Sequence, residues 1–80
     1  MTKTSFDFFK RNLNGYEINW LDTDIISVTS DEGVYKIIKD IVNDTYLVEY
    51  ISHFGHIESS FHFTMSGVIE YIKEGDKYKE

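Results

Sequence analysis

Cysteine, proline, alanine and glutamine are absent from the 80-residue chain, and arginine occurs once. Without cysteine there is no disulfide framework, no thiolate metal site and no thiol nucleophile, so apolar packing must hold the fold together. Long apolar runs are also missing: no window approaches the roughly 18 residues that a membrane span needs, and no hydrophobic leader follows Lys3. A soluble, cytosolic chain is expected. The missing alanine and proline, set against ten Ile, six Phe, six Tyr and seven Lys, fit an AT-rich gene. Such a gene points to a low-GC bacterium or one of its phages or plasmids.

Basic residues are the other scarcity. Eight Lys and Arg face fourteen Asp and Glu, for a net charge of −6. Phosphate contacts require cations, so direct binding to DNA or RNA is disfavoured.

What the chain does have is apolar and aromatic bulk. Hydrophobic residues make up 41% of it, and six Phe, six Tyr and one Trp can fill one small core. A single domain over residues 1–80 is expected. Phe6, Phe9 and Leu13 repeat at helical spacing, with Thr4 as a candidate cap, Asp7 in capping-box position and Gly15 as a left-handed stop, which predicts a helix over about Ser5 to Asn14. Met65, Val68, Ile69 and Ile72 repeat likewise after Thr64 or Ser66 and before Gly75, which predicts a second helix and a frayed charged tail over 76–80.

Between the helices the period falls to two. Tyr16, Ile18 and Trp20 alternate with polar residues; Ile25 to Thr29, Tyr46 to His53 and Ile57 to Phe63 are further strands. The Ser30-Asp31-Glu32-Gly33 turn suits a type I hairpin closed by a G1 bulge. Val34 to Val42 fits a helical stripe as well as a strand, and its β-branched residues and flanking turn signals favour strand. The expected fold is α+β: an antiparallel meander of four to five strands, with an N-terminal and a C-terminal helix packed on one face, in the order α-β-β-β-β-β-α.

The charge is uneven along the chain. Residues 1–16 carry +2, residues 17–58 carry −7 and residues 59–80 carry −1, and no Lys or Arg occurs from 12 to 35. Acids on turns with no local cation steer basic partners. The plain alternative is a solubilising surface, ordinary for a domain of this size.

His53, His56, Glu58 and His62 are the only metal-like cluster, but positions 56 and 62 of one strand stand about 20 Å apart, so no metal site and no cofactor is expected. Asp22-Thr23-Asp24 lacks the ligands and glycine of a calcium loop. No nucleophile elbow, HExxH or phosphate loop occurs, and catalysis is not expected.

Phe6, Phe9, Trp20, Phe61 and Phe63 suit the core. Tyr35, Tyr46, Tyr50 and Phe54 are harder to bury, because both faces of the strand around Leu47 and Ile51 are apolar; either that strand is covered on both sides or one face is a contact surface. Asp22, Asp24, Asp31, Glu32, Tyr46, Glu49 and Tyr50 are therefore the candidate partner-binding residues, aromatic anchors within a polar rim.

Small size, acidity and the lack of a cofactor signature give a profile that resembles, as a class, the small inhibitors carried by phages and mobile elements, including anti-CRISPR proteins and DNA mimics. That resemblance implies a protein that blocks a basic, nucleic-acid-handling surface of a host defence protein, and the size and aromatic face fit a monomer or homodimer. An immunity or antitoxin protein, a small metal- or His-dependent enzyme, and a virion assembly protein are the alternatives.

Overall fold

The computed structural model describes residues 1–77. Helix α1 (Lys3–Asn12) leads into five strands, β1 (Glu17–Asp22), β2 (Ile25–Thr29), β3 (Gly33–Asp40), β4 (Thr45–Ser52) and β5 (Ile57–His62), and helix α2 (Met65–Lys77) closes the chain. The strands form one antiparallel sheet in sequence order. Fold class and element order are those expected from the sequence; of the ambiguous stretch Val34 to Val42, the part to Asp40 is a strand, and Ile41 and Val42 fall in the exposed turn that follows.

Local details differ for identifiable reasons. Thr2, not Thr4, caps α1: its hydroxyl accepts from the Ser5 amide at 3.2 Å, so the helix starts two residues early and Asp7 takes no part in the cap. Gly15 does take a left-handed conformation, with φ of 92°. Thr64 caps α2 by accepting from the Gly67 amide at 3.0 Å. Gly75 does not stop α2, which runs on to Lys77; of the expected tail, residues 76 and 77 are helical and 78–80 lie outside the described residues. A Cβ at Gly75 would stand 2.7 Å from the Tyr35 hydroxyl, so glycine lets the helix pass over that ring.

Gly33 is likewise not the left-handed bulge residue expected of it. It is the first residue of β3, paired with Ser52, and a Cβ there would meet the Ile51 carbonyl oxygen at 2.4 Å. The hairpin closes instead through the Ser30 amide donating to the Gly33 carbonyl at 2.9 Å.

The core lies between the helices and one sheet face. Phe9 of α1, Leu13 just past its end, and Val68, Ile69 and Ile72 of α2 pack on Ile26, Val28, Tyr35, Ile37, Tyr46, Val48 and Tyr50. Tyr35 and Tyr50 are cross-strand partners with ring centroids 4.5 Å apart, and Phe9 meets the Tyr46 ring edge-on at 6.0 Å. Phe6 is half-buried, stacked on Trp20 at 5.2 Å.

Phe9 is in the core as expected, but the assignment of Trp20, Phe61 and Phe63 to it is corrected here, since all three are exposed. Tyr46 pairs with His62 and Leu47 with Phe61, so the face that holds the tyrosines receives the polar side of β5. Phe61 is 71% exposed and Phe63 83% exposed, whereas Tyr35 and Tyr50 are each at 1%.

Gly33→Ala should cost about 1–3 kcal/mol, because the added methyl overpacks against backbone that cannot move without breaking the ladder; the urea midpoint measures it. The inside-outside assignment is checked by a contrast in dilute solution. Phe9→Ala should cost about 3–5 kcal/mol and Phe61→Ala within about 0.5 kcal/mol of nothing.

Candidate functional site

Successive strands of a meander alternate direction, so alternate turns fall at opposite ends of the sheet. The β1–β2 and β3–β4 turns share one end, and the β2–β3 and β4–β5 turns share the other. The first end holds Asp22, Asp24, Asp40 and Asp44; the second holds Asp31 and Glu32. Strands of five to eight residues at ~3.3 Å per residue put the two ends about 15–25 Å apart. The acids singled out in the sequence are thus not gathered into one patch.

Several of these acids are already engaged. The Asp24 carboxylate is ion-paired with the Met1 ammonium group. Asp44, whose φ is 50°, holds Lys39 at 2.7 Å, and that hydrogen bond raises the Lys39 pKa above its ordinary value. The same ammonium lies 4.3 Å above the Tyr46 ring. Asp40 accepts from the Asn43 side chain at 2.8 Å and from the Asn43 and Val42 amides, and the Asn43 side-chain bond is the main reason its pKa lies below the usual carboxylate range. Asp22 accepts from the Thr23 amide at 2.7 Å. Among the described residues, no ion pair reaches Glu17, Asp22, Asp31, Glu32 or Glu49.

Tyr46 and Tyr50 are the clear correction among the candidate residues. Both project to the helix-covered face and are buried, so they build the core and offer no surface to a partner. Glu49 projects to the opposite face, beside Lys36 of β3 and Ser59 of β5.

That uncovered face has an order that sequence reasoning missed. Ile25, Ile38, Leu47 and Phe61 form one cross-strand row. Thr29, Val34, Ile51 and Ile57 form a second, and the polar row Asn19, Ser27, Lys36, Glu49 and Ser59 lies between them. Ile51 is 54% exposed and Ile57 71%. The signal for this face was the apolar pattern on both sides of β4.

The histidines are dispersed. His56 lies 3.5 Å from Glu58 at the surface, while His62 is tucked beneath α2, its ring 5.0 Å from that of Tyr71. Among the described residues no three His, Cys, Asp or Glu side chains could hold a metal ion, and no helix is long and apolar enough to cross a membrane. An open groove of about 420 Å³ runs between the helices, lined by Phe8, Asn12, Ile69, Glu70 and Lys73 among others. Comparison with protein-family models, with curated proteins and with solved structures finds no match.

His62 gives the fold an acid-sensitive point. Among the described residues its buried Nε2 has no hydrogen-bond partner, and burial pushes its pKa below the ordinary histidine value. The unfolded chain therefore takes up a proton at a higher pH than the folded one, so stability is full above that value and declines as the pH falls below it. Urea midpoints should fall from pH 7 to pH 5, and His62→Phe should flatten that slope.

Proposed function

We propose that the chain acts by binding a protein, not by catalysis. It is read as a small acidic inhibitor of the kind encoded by phages and mobile elements, whose carboxylates occupy a basic surface that a host protein otherwise offers to nucleic acid. The observation that carries this reading is the set of carboxylates that no ion pair reaches among the described residues: Asp22 at one end of the sheet, Asp31 and Glu32 at the other, and Glu17 on β1. A partner rich in Lys and Arg supplies the missing counter-charges. Single-sign charge at exposed positions speeds encounter and selects such partners over neutral ones. The two ends fit a partner with two separated basic patches better than a continuous phosphate-like track.

The test uses the whole chain, immobilised and exposed to an extract of a low-GC bacterium. Retained proteins, identified by mass spectrometry, should handle nucleic acid, and added duplex DNA should displace them. Raising salt from ~50 mM to ~500 mM should release them, since screening acts within a Debye length that shrinks over that range. The triple variant Asp22→Asn, Asp31→Asn, Glu32→Gln should retain at least about tenfold less, as expected when several charge pairs are lost together. Retention indifferent to salt, to DNA and to the triple substitution would sink the proposal.

A further inference from the structure

The uncovered sheet face is self-complementary. Over β2–β5 its two outer rows, apolar except for Thr29, flank a polar row whose only charged members are one cation and one anion, Lys36 and Glu49, on adjacent central strands; Glu17 of β1 extends the second row beyond this patch. We propose that this face is the contact between two copies of the chain, packed face to face about a two-fold axis that runs along the strands between β3 and β4.

The register decides which side chains such an axis brings together. It lays β3 of one copy over β4 of the other, and β2 over β5, at unchanged height along the strands. Each residue then meets the second copy's equivalent of its own cross-strand neighbour. Ile38 faces Leu47 of the second copy, Val34 faces Ile51 and Ile25 faces Phe61; apolar rows cover apolar rows. In the middle row Lys36 faces Glu49 of the second copy, and the symmetry makes that pair twice. Among the described residues neither side chain has an ion pair within its own chain. Aligned sheets cross at roughly 30° with faces about 10 Å apart, and the twist displaces least the β3–β4 matches beside the axis.

The size of the patch is adequate. Four strands ~4.8 Å apart and rows ~13 Å apart from Ile25 to Thr29 give, with side chains included, a burial on the order of 1,000 Å² over both copies. That is the lower edge for a specific interface, so a micromolar dimer is expected. An axis parallel to the strands also sets the like ends of the two copies side by side, which doubles the acidic end of Asp22, Asp24, Asp40 and Asp44. Each copy carries −6, so the two repel at long range while their faces attract.

Sedimentation equilibrium of the full chain from ~1 µM to ~500 µM should show a monomer–dimer equilibrium with a dissociation constant of about 1–100 µM. Lys36→Glu or Glu49→Lys alone sets like charges together twice and should weaken the dimer at least about tenfold, and the double exchange should restore it to within about threefold. Ile51→Lys and Phe61→Asp, both at exposed positions, should give folded monomers by circular dichroism. Salt should tighten this association, the opposite of its effect on a basic partner, so either idea can fail without the other. A folded monomer at every concentration overturns the dimer. So does a dimer indifferent to the Ile51 and Phe61 substitutions, or to the single charge reversals.

Discussion

Eight consecutive residue pairs join β3 to β4, from Gly33 with Ser52 to Asp40 with Thr45, and this ladder sets the inside and outside of the whole sheet. Side chains alternate along a strand, so a slip of one residue would exchange Tyr35, Ile37, Tyr46, Val48 and Tyr50 for their outward neighbours. The close approach at Gly33, where backbone of the next strand occupies the space of a Cβ, allows one register at that end. At the other end the Asp40 carboxylate gathers the amides of Val42 and Asn43, and Asp44 accepts the left-handed conformation that closes the turn. β5 then inherits its parity from β4: the tyrosines take the space beneath the helices, and Ile57 and Phe61 point away from it.

This chain of dependence explains what could be read from the residues and what could not. The limits of β2, the presence of both helices and the element order follow from local signals of spacing and turn residues, whereas the cap of α1, the end of α2 and the role of Gly33 in the turn before β3 do not. The stretch Val34 to Val42 has no local solution, because its apolar residues satisfy two periods; pairing on both flanks makes it a strand as far as Asp40. Which face of β4 is covered has no local solution either, since Tyr46, Val48 and Tyr50 on one side match Leu47 and Ile51 on the other in apolar character. A preference for burying phenylalanine over tyrosine selected the wrong side in β5, and it made Tyr46 and Tyr50 look like surface anchors. Of the candidate site, the acids were legible as turn residues, but their division between two ends depends on strand direction, which no single residue encodes.

Counting acids along the chain also overstates the charge a partner would meet. Asp24, Asp40 and Asp44 serve the fold: one receives the chain's own ammonium group, one organises a turn, and one holds Lys39 over an aromatic ring. What remains outward is a smaller set divided between the two ends of the sheet. Alternation of strand direction turns a linear cluster into two poles, with an apolar plain between them, and the two kinds of surface invite different occupants.

The meander order has a further consequence, in folding kinetics. Every strand pairs with its neighbour in sequence, so each hairpin closes a loop of only a few residues and most of the sheet assembles from local contacts. Contact between α1 and α2 is different, since it joins the first element to the last. Its loop-closure cost is the largest in the molecule, but the cost grows only with the logarithm of loop length and is shared once the sheet has formed. On sequence separation alone, docking of α1 on α2 is expected to follow formation of the sheet, whose pairings are all between neighbours in the chain.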